Sequence, residues 1–201
     1  MTADDLIDAV SDDQQTELSR LGSSKTLYAD TRGEMEPEAI HAAAAAREAA
    51  AQETFEAWAD DADATAAELF ADAASDAGDR LGDTEPADRA FHMHETLDEL
   101  DTTVERLGGV VGWTLVDKKV KEQLTGFFTG QADPQTASTY RSGGSEVEAL
   151  REDAADLLEE TCEGDEEWDA AEGAAVDVVA AAYDDYVETL EELGVNPKDV
   201  C

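Results

Sequence analysis

Residues 37–81 read PEAIHAAAAAREAAAQETFEAWADDADATAAELFADAASDAGDRL and decide the fold. Ile40, Ala44, Ala51, Phe55 and Trp58 fall at helical intervals along one face. Pro37 suits a first helical turn, and Glu34, Glu36 and Glu38 set anions at the positive end of the helix dipole. Asp60-Asp61-Ala62-Asp63 is a tight acidic junction. A second apolar face follows in Ala66, Leu69, Phe70, Ala73, Ala77 and Leu81, and Gly82 to Pro86 ends it. Two such helices across a short turn pack against each other as neighbours. One residue breaks the pattern: Glu48 lies on the apolar face, four after Ala44 and three before Ala51.

The same helical spacing continues in both directions. Leu6, Ile7, Val10, Leu18 and Leu21 predict an amphipathic helix over residues 3–21, and Gly22-Ser23-Ser24 to Gly33 reads as a turn-rich connector. Met93, Leu97, Leu100, Val104, Leu107 and Val111 form a heptad-like stripe that predicts a third core helix over 87–107. Gly108, Gly109 and Gly112 then either break the helix or admit a close neighbour, and the pattern resumes at Trp113, Val116, Val120, Leu124 and Phe127. Gly130 to Pro134 and Ser142-Gly143-Gly144 read as loops. Helices are expected over about 145–162 and about 166–193, stopped by Gly194 and Pro197. No run alternates with the period of two that a half-buried strand needs. The expected fold is all-α: an antiparallel bundle in one domain, 1–201. Residues 1–36 supply an N-terminal helix and connector, 37–130 the core bundle, and 131–201 the C-terminal helices.

The chain carries 51 Asp and Glu against 13 Lys and Arg, a net charge of −38. The acid runs from Asp4 to Asp199 and forms no tail. Such a surface repels itself at low salt, and at about 1 M salt the Debye length of roughly 3 Å screens it. This composition fits a cytoplasmic protein of a salt-in halophile, an archaeon by expectation. It disfavours direct binding to nucleic acid, whose phosphates need Lys and Arg. The acidic start Met1-Thr2-Ala3-Asp4-Asp5 is no secretory n-region. The most apolar stretch, 110–128, is interrupted by Asp117, Lys118, Lys119, Lys121 and Glu122, so no membrane association is expected. Cys162 and Cys201 fit neither a zinc pattern nor a disulfide framework and read as inert thiols.

A carboxylate on the inner face of a bundle must be paired, protonated or bound to metal. Around Glu48 the sequence resembles the first helix of rubrerythrin-type, ferritin-like proteins, in Glu48, Ala51, Phe55 and Trp58-Ala59. Residues 66–81 resemble that family's second helix in Phe70, Ala74 and Leu81. The resemblance covers about 45 residues. It implies a ferritin-like four-helix core with extra terminal helices. That family holds two metal ions with inward carboxylates and Glu-x-x-His pairs. Here the positions of that pair fall on Ala77 and Arg80, which cannot ligate iron. The resemblance thus implies a bundle whose metal site is lost, with Arg80 opposite Glu48 as a replacement salt bridge. The alternative is a Glu48 turned to the edge, paired with Arg47 or water. Glu38-x-x-His41 is the one formal Glu-x-x-His match, in a first turn where a dipole-capping Glu and an exposed His are expected. Glu48, Glu38 and His41 are therefore only weak metal candidates, and no cofactor is expected.

His92-x-His94 is metal-like in composition, but residues two apart on a helix point about 200° apart, so helix-start roles are preferred. Lys118, Lys119 and Lys121 gather three of the five lysines and are either a contact for a protein partner or bases neutralised by neighbouring acid.

The whole chain also resembles a group of halophilic-archaeal proteins. The matching stretches are Leu21-Gly22-Ser23-Ser24-Lys25, Gly33-Glu34-Met35-Glu36-Pro37-Glu38, Val104-Glu105-Arg106-Leu107-Gly108-Gly109, Gly130-Gln131-Ala132-Asp133-Pro134-Gln135-Thr136 and Gly194-Val195-Asn196-Pro197. Their labels run from rubrerythrin-like to transcription anti-termination, which implies a partner-binding role. Three readings remain at this point. The first is a non-catalytic protein acting through protein contacts in transcription. The second is a rubrerythrin-like metal-dependent oxidoreductase. The third is an RNA-binding anti-terminator using the 118–121 lysines.

Overall fold

Side-chain caps start four of the helices among the described residues. In the computed structural model, which describes residues 1–198, the Thr2 hydroxyl accepts the Asp5 N–H while the Asp5 carboxylate accepts the Thr2 N–H. This capping box starts α1 (Ala3–Asp13). The helix expected over 3–21 is interrupted at Gln14, and α2 (Gln15–Leu21) follows. The expected connector contains a further short helix, α3 (Ser24–Asp30).

The helices α4 (Pro37–Asp61) and α5 (Ala64–Leu81) flank the acidic junction, and Asp63 caps α5 by accepting the Thr65 and Ala66 N–H groups. The expected helix over 87–107 does not form as one piece. A short α6 (His92–Asp98) ends, and a new helix, α7 (Thr103–Gly130), begins. The physical reason is a second capping box, in which Thr102 and Glu105 satisfy each other's backbone N–H groups. The heptad stripe therefore spans two helices.

The glycines 108, 109 and 112 lie inside α7 and do not break it. α8 (Pro134–Thr161), capped by Asp133, runs straight through the expected 142–144 loop, and α9 (Asp165–Glu192) completes the chain. All regular structure among the described residues is helical.

Residue pairings fix the helix directions. Trp58 meets Phe70 and Glu48 meets Arg80, so α4 and α5 are antiparallel. Phe55 meets Trp113 and His41 meets Phe128, so α4 and α7 are antiparallel. Lys118 meets Glu148 and Phe128 stacks on Tyr140, so α7 and α8 are antiparallel. It follows that α5 and α7 run the same way, and residues 82–102, with α6 among them, return the chain between them. The link between these core helices is thus much longer than the 82–86 turn.

α9 lies parallel to α7, with Ala171 against Gly108 and Ala175 against Gly112. A Cβ on Gly108 would stand 2.2 Å from the Ala171 carbonyl oxygen, and one on Gly112 would stand 2.4 Å from that of Ala175. The glycines are the close approach itself.

Two apolar clusters fill the interior. The larger contains Phe55, Trp58, Phe70 and Trp113 in edge-to-face contact. The smaller contains Ile40, Val120, Leu124 and Phe128. Charged side chains lie along the same helices between them. No helix among the described residues is long and apolar enough to cross a membrane.

Candidate functional site: a buried ion cluster

Four side chains from three helices meet inside the bundle. α4 supplies Glu48, α5 supplies Arg80, and α7 supplies Asp117 and Lys121 one turn apart. Arg80 Nε donates to Glu48 Oε2 at 3.0 Å. Lys121 Nζ donates to Glu48 Oε1 and lies 2.9 Å from Asp117 Oδ2. At the outer end Arg80 Nη1 also reaches Glu146 Oε2 on α8 at 3.3 Å. The structure therefore brings Glu48 and Arg80 together.

Lys121 does not belong to the surface contact expected of 118–121. Its side chain is 3% exposed, so it can touch no partner. The reason is the helical step: three and four residues beyond Lys118 and Asp117, it faces inward with Asp117. Gly143 and Gly144 on α8 leave room for its stem. Lys118 is half-buried and bonds Glu148 at 3.0 Å and the Gly144 carbonyl at 3.3 Å. Lys119 lies 3.8 Å from Glu122.

Burial opposes the charges of Lys121, Asp117 and Arg80, and their partners outweigh it. The Lys121 ammonium is held above its ordinary pKa by Asp117 and Glu48 in spite of desolvation. The Asp117 carboxyl is held below its ordinary value, against desolvation, by Lys121, Arg80 and Arg47. Arg80 is likewise raised by Glu48 and Asp117 against desolvation. These three groups are held side by side in their charged forms.

A second ion cluster lies beyond Arg47, whose guanidinium turns away from Glu48. It makes a bidentate pair with Asp30 of α3, at 2.7 and 2.9 Å. Arg89 lies 3.7 Å from Asp30 and donates to Asp185 of α9 at 3.0 Å. The Phe91 ring lies 4.6 Å from the Arg47 guanidinium carbon and 5.0 Å from that of Arg89. This cluster ties α3, α4, the 82–102 link and α9 together. Asp30, Arg89 and Asp185 carry no periodic signal in the sequence, where Arg47 reads only as a partner for Glu48. The available signal was scarcity: a base retained in an alanine tract of so acidic a chain has a specific partner.

His94 lies in the first turn of α6, as expected of a helix-start residue, but it is buried, with Nδ1 3.1 Å from Thr54 Oγ1. Burial, and secondarily Arg47, push its pKa down to about 3. His92 stays at the surface, 3.9 Å from Glu188. His41 is not the exposed residue expected: its Nδ1 lies 2.8 Å from the Tyr140 hydroxyl and its ring packs 4.6 Å from Phe128. Glu38 is exposed. Burial, then Glu167, raise the Cys162 thiol pKa, while Cys201 lies outside the described residues.

The donors do not fit a di-metal centre. Its two inward carboxylates, Glu48 and Asp117, are both engaged by Lys121, and Glu48 also by Arg80. Among the described residues, no group of three or more His, Cys, Asp or Glu is placed to hold a metal ion. The cavity beside Glu48, Arg80, Lys121 and Tyr140 is about 50 Å³. Small-molecule sites are commonly about 300–1,000 Å³. What the arrangement does chemically is neutralise charge. Compared with models of known families, with curated proteins and with solved structures, the chain matches none.

Proposed function

We propose that this is a non-catalytic, ferritin-like helical protein of a halophilic archaeon, related to rubrerythrins. In this reading it works in the cytoplasm through protein contacts, in transcription anti-termination. One observation carries the non-catalytic half: Arg80 and Lys121 clamp Glu48 where a ferritin-like bundle would hold metal. The helix directions support the ferritin-like half. α4 and α8 run one way, α5 and α7 the other, and 82–102 is the single long crossover such bundles use. The anti-termination assignment rests on the sequence resemblance, and the charge on the chain directs it toward protein rather than RNA.

The RNA-binding reading loses support because Lys121 is buried and Lys118 is already paired. The oxidoreductase reading loses support because both Glu48 carboxylate oxygens are engaged by Arg80 and Lys121, and Asp117 faces the same Lys121 ammonium. The test is affinity capture on the full chain in molar KCl, with bound protein and RNA both identified. The proposal expects a protein partner retained after nuclease treatment. RNA held without protein would overturn it.

A further inference from the structure

Between α5 and α8 the bundle is open. Arg80 closes one end by reaching Glu146, and from there a groove of about 460 Å³ extends to Thr65 and Glu160. Its walls run from Thr65 to Asp76 and from Glu146 to Glu160, roughly 16–21 Å at 1.5 Å per residue. That is the length of about three to four turns of helix. Leu69, Leu150 and Leu157 line it and are half-buried.

The edges are carboxylates. Glu68, Asp72 and Asp76 recur every fourth residue on α5, and Asp153, Asp156 and Glu160 face them from α8. Among the described residues none of these six makes an ion pair or a side-chain hydrogen bond. No Lys or Arg lines the groove, whereas four other concavities of this molecule each contain one. The groove thus sets an apolar floor of leucines between two rows of carboxylates with no base among them.

We propose that this groove docks a basic amphipathic helix of a partner protein. The inference rests on the protein-contact reading above and names its surface. Apolar residues at i, i+3 or i+4, and i+7 of the partner helix lie on Leu69, Leu150 and Leu157, as in helix-in-groove recognition. Lys and Arg on its flanks meet the two acidic rows. A second copy of this chain is a poor occupant, because it brings a charge of −38 of its own. RNA is repelled by the same carboxylates.

The probe is a fluorescein-labelled amphipathic peptide of about fourteen residues, the groove's length, with Leu at helical spacing and Lys on both flanks. It is titrated into the full chain in molar KCl and followed by anisotropy. Saturable one-to-one binding is expected, weakened about tenfold or more by Asp72→Lys with Asp153→Lys, the loss of roughly 1.4 kcal/mol. Leu69→Ser with Leu157→Ser is expected to weaken it as much. These positions are exposed or half-buried, and circular dichroism checks that both variants fold. Equal binding by the variants, or by a scrambled peptide of the same composition, overturns the groove.

A photo-crosslinker at exposed Ala149, in the groove, is compared with one at exposed Ser138, outside it. A basic helical segment captured from Ala149 alone supports the proposal. A second copy of the chain or RNA captured at Ala149 overturns it. Protein captured only from Ser138 overturns the groove and leaves the protein-contact reading standing, and no protein captured from either position overturns both.

Discussion

The Lys121 ammonium lies between two carboxylates from different helices, bonded to Glu48 on α4 and 2.9 Å from Asp117 on its own α7. Removing a cation from such a place leaves two buried anions close together. Lys121→Met is therefore expected to cost about 3–5 kcal/mol, the usual penalty for breaking a buried pair. Urea denaturation in molar KCl measures it. Replacing Glu48 and Lys121 together, by Gln and Met, is expected to cost less than the sum of the two single changes.

The Asp30–Arg47 pair is bidentate and buried, and it joins α3 to the core. Arg47→Met leaves Asp30 with only the 3.7 Å contact to Arg89. A loss of about 3 kcal/mol is expected. A double-mutant cycle with Asp30→Asn checks the coupling, and a coupling energy near zero would contradict the geometry.

The glycines of α7 have opposite roles. Gly112→Ala drives a Cβ to 2.4 Å from the Ala175 carbonyl oxygen, backbone that cannot easily give way. It is expected to destabilise by about 1–3 kcal/mol or more. Gly126→Ala meets nothing within 4 Å and is expected to stabilise the same helix by up to about 1 kcal/mol. Thermal melts of the two variants read both signs.

His94 stays neutral in the folded chain because burial, then Arg47, hold its pKa at about 3. In the unfolded chain it takes a proton below about pH 6.5. The unfolded state therefore binds more protons between about pH 6.5 and 3, and stability falls as the pH drops through that window. The expected contribution approaches about 1.4 kcal/mol per pH unit. Carboxylates titrate in the same range, so the measurement is the difference between the wild type and His94→Gln. The variant is expected to show the shallower slope from pH 6 to 4.

The helices α4, α5 and α9 are legible in the sequence because each shows its own apolar period, whereas α3 is too short to show one. Pro37, the acidic junction at 60–63 and Pro134 mark boundaries through local chemistry. The stripe from Met93 to Val111 reads as one helix because its spacing continues across a break in the helix, and the capping box at Thr102 and Glu105 outweighs that continuity. Gly143 and Gly144 read as a loop because their partner is distant in sequence: they make room for Lys121 and Arg80. Glu48 stands out as an acid on an apolar face, while Arg80 as its partner is what the family resemblance implies. Lys121 was hidden because three neighbouring lysines look like one surface patch, although the helix turns one of them inward. Asp30, Arg89 and Asp185 come from three separate segments, and only tertiary packing joins them.

In the proposed function, Arg80 and Lys121 supply the positive charge that metal supplies in a ferritin-like bundle. Metal analysis of the chain purified in molar KCl, followed by anaerobic titration with ferrous iron or manganese, tests it most directly. Far less than one metal ion per chain and no saturable uptake are expected. Two tightly held ions per chain, lost on Glu48→Gln, would contradict it.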